Sequence, residues 1–171
     1  MKNLLKVALV AFCMVLMGNF AKAQTQKIGH IPMDQVIRLL PEVKTLETQL
    51  QSLSKQWQDN LTLLQTEYAT KAKDYEAKRA TMTEAARTLK EGELQDLQKR
   101  YQEGSNTAST QIEAKSTELS KPLIDKVRAA VALVAKEKGY TYVINTTQTE
   151  LIVSPDADDL TAAVKLKLNL K

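Results

Sequence analysis

The chain has 171 residues, with 24 Lys and Arg against 20 Asp and Glu, one His, one Cys and one Trp. That length suits one ordinary domain, but an aromatic content of 5% and a remainder rich in Ala, Leu, Gln, Lys, Glu and Thr exclude a large compact core. A single His and a single Cys leave too few ligands for a zinc-type centre.

The chain opens with Lys2 and Lys6, continues through an almost wholly apolar run from Val7 to Phe20, and reaches small residues at Ala21 and Ala23. This order predicts an export signal over residues 1–23, cleaved after Ala23. The apolar run is shorter than the roughly 20 residues of a membrane span, and no second run follows, so the chain from Gln24 onward is expected to be soluble. Cys13 leaves with the signal, and so do Lys2, Lys6 and Lys22 with no acid, which leaves 21 basic residues against 20 acidic ones. Such a balance lacks the cationic excess that a generic nucleic-acid binder uses to displace phosphate counterions.

Lys27 to Ile31 reads as a short strand, Asp34 as the cap of a brief helix through Leu40, and Pro41 as the first turn of something longer. From Pro41 to Pro122 no proline interrupts the sequence. Larger side chains recur at Leu46, Leu50, Leu53, Trp57, Leu61, Leu64, Tyr68, Ala72 and Tyr75, in steps of three and four that mark one face of a helix. The steps begin as a heptad and drift toward an eleven-residue repeat, which relaxes supercoiling. Thr81 with Glu84 forms a capping-box pattern, and Thr83 is the alternative cap, so the chain is expected to reverse near residues 80–84. A second helix then carries Leu89, Leu94, Leu97, Tyr101, Ala108, Ile112, Leu119, Leu123, Val127, Val131 and Val134 back.

Antiparallel pairing about residue 82 sets Trp57 against Thr107 and Ala108, and Asn60 against Gly104. The segment Gly104 to Thr110 is rich in small, poor helix formers, which either make room for Trp57 or form a hinge. A single continuous helix is the competing geometry. Gly139 ends the returning helix. Tyr140 to Ile144 and Glu150 to Val153 then read as a β-hairpin, and Asp156 or Asp158 as the cap of a last helix.

The fold class expected is therefore mainly α with a small β body: a long antiparallel helical hairpin arm, residues 41–121, on a short-strand body made from residues 24–40 and 122–171. Three short strands expose unpaired edges, which pairing between subunits would close, so the body is expected to oligomerise. Ile28, Ile31, Tyr142, Val143, Ile144, Leu151 and Val153 are the candidates for that role. In the arm, Trp57, Leu61, Tyr68, Tyr75, Met82 and Tyr101 are candidates for limb packing or for contact with a bound chain.

No catalytic, cofactor-binding or metal-binding set is expected. His30 stands in a strand pattern, Asp156, Asp158 and Asp159 lack the glycine and distal glutamate of a calcium loop, and no glycine-rich phosphate cradle occurs. Interspersed charges along the arm read as a solvated face of i,i+4 pairs or as an adaptable surface for unfolded chains.

Several ordered segments resemble the periplasmic chaperone family called Skp, or OmpH-like proteins. They are Ile28-Gly29-His30-Ile31-Pro32-Met33, Leu40-Pro41-Glu42 before the long Gln, Lys and Glu-rich hairpin, Pro122-Leu123-Ile124-Asp125-Lys126-Val127, Gly139-Tyr140-Thr141-Tyr142-Val143-Ile144 and Asp159-Leu160-Thr161. The resemblance implies a jellyfish-like homotrimer whose strands join in a central body and whose arms enclose a cavity. It also implies a periplasmic, ATP-independent holdase for unfolded outer-membrane β-barrel proteins. Family members are often strongly basic, whereas residues 24–171 are nearly neutral, which leaves anionic lipid or lipopolysaccharide contact open. The alternative function is a structural or adaptor coiled coil of the envelope; an enzyme is a distant third.

Overall fold

The computed structural model describes residues 26–170, so the expected export signal and its cleavage site lie outside the described residues. In chain order come β1 (Ile28–Ile31), α1 (Met33–Arg38), α2 (Glu42–Lys78), α3 (Glu84–Lys138), β2 (Tyr142–Asn145) and α4 (Thr161–Lys167), with 3-10 turns at Arg79–Thr81 and Asp156–Asp158. The mainly α chain with a long antiparallel hairpin on a small β body is what the sequence predicts.

Helices α2 and α3, of 37 and 55 residues, run antiparallel. At 1.5 Å per residue they reach about 55 and 80 Å. The reversal belongs to Thr83, whose Oγ1 accepts the Ala86 N–H at 3.3 Å, while Thr81 donates back to the Lys78 carbonyl at 2.9 Å and closes the preceding turn. Helix α3 runs unbroken through Pro122 to Gly139, whose φ of 73° is the left-handed cap that glycine adopts without a side-chain clash.

β1 and β2 pair in parallel, Ile28 opposite Tyr142 and Ile31 opposite Asn145. Parallel strands need a long crossover connection, and the whole helical hairpin serves as one here. The second edge of β1 is taken by a bridge from His30 to Asp159, with Leu160 N–H donating to the His30 carbonyl at 3.0 Å.

The expected hairpin between 140–144 and 150–153 is not formed. Among the described residues there are two strands, and Leu151 to Val153 is irregular. The alternation of Leu151 and Val153 reads as a strand, but the segment lies along the groove over the outer face of the sheet, where His30 holds Pro155, and the outer edge of β2 stays unpaired among the described residues.

Both expected aspartate caps also go elsewhere. The first turn of α1 is capped from across the fold: Met33 and Asp34 N–H groups donate to Asn145 Oδ1 and Thr147 Oγ1, each at 3.2 Å, while the Asp34 carboxylate sits in the first turn. At α4, Asp159 rather than Asp156 or Asp158 accepts the Thr161 N–H at 2.8 Å, and Asp158 accepts from the Tyr140 hydroxyl at 2.9 Å.

The core lies where both chain ends meet the base of the arm. Leu123, Val127, Ala130, Val131 and Val134, one face of α3, bury against Ile31, Val36, Leu40, Tyr140, Leu160 and Val164. Spacings of three and four place these α3 side chains on a single stripe. β1 approaches so closely that a Cβ on Gly29 would lie 3.1 Å from both the Leu160 and the Tyr140 side chains.

Candidate functional surfaces

Alternation along the strands divides the sheet into two faces. Gly29, Ile31 and Val143 look into the core, whereas Ile28, His30, Tyr142 and Ile144 form the outer face. Ile28 is 49% exposed and Tyr142, directly opposite, is 57% exposed. A groove of about 660 Å³ runs over this face, lined by Ile28, His30, Ile144, Leu151, Val153 and Pro155 among others. His30 Nε2 donates to the Pro155 carbonyl at 3.3 Å, tying the outer strand to the segment that follows Val153. Val153 on the groove is 83% exposed, and Ile152 next to it is 96% exposed.

Of the residues the sequence predicts for assembly, Ile28, Tyr142, Ile144, Leu151 and Val153 gather around this face and groove. Ile31 is instead a core residue and Val143 packs on the core. Sequence reasoning missed Ile152, whose exposure follows from the absence of the expected hairpin. It also missed Tyr140, whose hydroxyl donates to Ala157 and Asp158 while Lys27 sits 4.0 Å above its ring.

A seam with few buried side chains joins the limbs of the arm. Trp57 is half-buried and its indole N–H donates to Gln111 Oε1 at 3.2 Å, beside Ser105, Ala108 and Ile112. Gly104 faces Leu61, one position along from the expected Asn60; a Cβ there would lie 3.2 Å from Leu61 Cδ2. The segment is helical, with the Thr107, Ser109 and Thr110 hydroxyls donating to carbonyls four residues earlier, a back-bonding that slightly weakens a helix.

Tyr68 accepts from Gln98 Nε2 at 3.0 Å, and with Leu64, Leu97 and Tyr101 it lines a shallow slot in which Tyr101 remains exposed. Toward the tip, Tyr75 is the one buried residue of α2, its hydroxyl donates to the Glu91 carboxylate, and Met82 is half-buried. The uses of Glu91 and Glu93 across the seam carry no signal in the sequence beyond general charge alternation.

The profile of the family described as outer membrane protein (OmpH-like) matches residues 27–168. The chain belongs to the OmpH-like family. Among solved structures, a candidate outer membrane chaperone (OmpH-like) of Caulobacter crescentus CB15 is similar at 17% identity, with a TM-score of 0.69 and 84% of each chain covered. At that identity the likeness is one of fold. Comparison with curated proteins finds no match. The OmpH-like match spans the sheet, both limbs of the arm and all of α4, so the outer sheet face and the seam both lie inside the family's common region.

Among the described residues, no group of three His, Cys, Asp or Glu is placed to hold a metal ion, and no helix is long and apolar enough to cross a membrane.

Proposed function

We propose that this OmpH-like protein is an ATP-independent periplasmic holdase that binds unfolded outer-membrane β-barrel proteins and keeps them from aggregating. The observation that carries the reading is the division of one chain between a sheet with an uncovered apolar face and a long helical hairpin with a thin seam. The family membership and the fold likeness to a candidate chaperone support it.

Residues 24–40 and 122–171 form the body in this proposal, and residues 41–121 the arm. Copies of the chain join through the outer face that carries Ile28, Tyr142, Ile144, Leu151 and Val153, three copies by the family resemblance. A sheet of two short strands with one unpaired edge and an apolar outer face gains both hydrogen bonds and burial from such pairing. The arms of the assembled copies then surround a space in which a client makes many weak contacts with Trp57, Leu61, Tyr68, Met82 and Tyr101. A barrel strand outside the membrane exposes apolar side chains and free edges that aggregate, so shielding it needs enclosure and no chemistry.

Cross-linking in cells tests the role. A spectrum of unfolded envelope proteins attached to the arm is the expected result. One folded partner captured in stoichiometric yield would make the protein an envelope spacer instead.

A further inference from the structure

We propose that the distal end of the arm is an ionic clasp, built around Tyr75 and Glu93, that opens on acidification or at high ionic strength while the base of the arm and the body stay closed. The inference concerns the arm alone and does not depend on what the arm binds.

Cross-limb bonds differ in kind along the seam. In its middle they are uncharged: Trp57 with Gln111 and Tyr68 with Gln98. Near the tip they become ionic. Glu93 on α3 is held by Lys90 of its own limb at 3.0 Å and by Lys71 of the opposite limb at 3.4 Å, and Lys71 also reaches Glu67 at 3.5 Å. About one turn of helix away, Tyr75 donates its hydroxyl to the Glu91 carboxylate. This is the only place where α2 buries a residue, with 6% of Tyr75 exposed, so the one well-packed side chain of that limb is anchored by a charged acceptor.

The other ion pairs around the clasp lie within single limbs and do not tie the limbs together. Lys78 pairs with Asp74, and Arg87 with Glu84 at 3.0 Å while its Nε is buried without a partner. Arg79, in the turn, faces the Tyr75 hydroxyl. Among the described residues the only other cross-limb ion pair, Glu42 with Lys126, stands at the base, where the core residues Leu40, Leu123 and Val127 hold the limbs together without charge.

The Lys90 and Lys71 ammonium groups keep the Glu93 carboxyl below its ordinary range, so the clasp is intact above that range and is lost as pH falls through the lowered value. Salt reaches the same end by screening, since the Debye length shrinks to about 3 Å at 1 M. Separation at the tip widens the arm from its far end and leaves the uncharged middle as the new end of the pairing.

The test uses residues 24–171, which contain no cysteine once Cys13 is gone. Spin labels at Glu76→Cys and Thr88→Cys report the tip, and labels at Glu47→Cys and Lys121→Cys report the base, each diluted with unlabelled protein. Electron–electron double resonance then reads both distance distributions. The tip distribution is expected to broaden toward longer distances at about pH 3 and at about 1 M salt, with the base unchanged. Glu93→Gln and Tyr75→Phe should each broaden the tip already at neutral pH in low salt, with helicity retained by circular dichroism. A tip that ignores acid, salt and both substitutions overturns the clasp, and so does a base that broadens in step with the tip.

Discussion

A methyl group on Gly29 would press on Leu160 and Tyr140, both of which are buried and have little room to yield. Gly29→Ala should therefore destabilise the body by about 1–3 kcal/mol, the usual cost of overpacking, as read from urea denaturation. An unchanged midpoint would mean that β1 slides outward freely. The need for glycine here is invisible in the sequence, where Gly29 is one residue of a predicted strand. Charge works at the residue scale too. The Lys126 hydrogen bond holds the Glu42 carboxyl below its ordinary value of 4.5. A depressed carboxyl adds stability that is present above the ordinary value and is lost as pH falls through the lowered one. The thermal midpoint of the protein should accordingly fall more steeply between about pH 5 and pH 3 than that of Glu42→Gln. Equal slopes would show that this exposed pair contributes nothing.

At the scale of elements, the arm was legible because its apolar spacing of three and four persists over two limbs and a reversal has its own capping residues. Register was less legible: Trp57 meets Gln111 and Leu61 meets Gly104, because contact depends on where each side chain points as well as on counting from the tip. The sheet was misread at Leu151 and Val153 for a different reason. Alternation reports that a segment suits a strand, not where it will lie: the outer edge of β2 is open among the described residues, yet the His30 side chain ties Pro155, just beyond Val153, over the outer face of the sheet. The caps show the same limit, since Asn145 and Thr147 cap α1 from more than a hundred residues away, beyond any local pattern. Trp57 is half-buried in a thin seam, so Trp57→Ala should cost the arm about 1–3 kcal/mol and raise its hydrogen exchange, with assembly untouched. Dissociation of that variant would move the assembly contacts into the arm.

For the whole molecule, the proposed function places assembly at the outer sheet face and holding in the arm. Truncation after Gly139 should abolish assembly, but it also removes Tyr140, Leu160 and Val164 from the core, so its effect is not specific. Ile152→Asp separates the two causes. Ile152 is almost fully exposed in the single chain, and its replacement should change folding stability by no more than about 0.5 kcal/mol. The same change should lower the assembled mass in sedimentation by burying a charge between copies. Full assembly of Ile152→Asp would exclude this face as the contact.

The most direct measurement of the central claim is light scattering after a urea-unfolded outer-membrane barrel protein is diluted into buffer with and without residues 24–171. Holding by the arms predicts suppressed scattering without any nucleotide, together with a complex of defined mass containing one small oligomer of this chain. Undiminished scattering in the presence of the folded protein would contradict it.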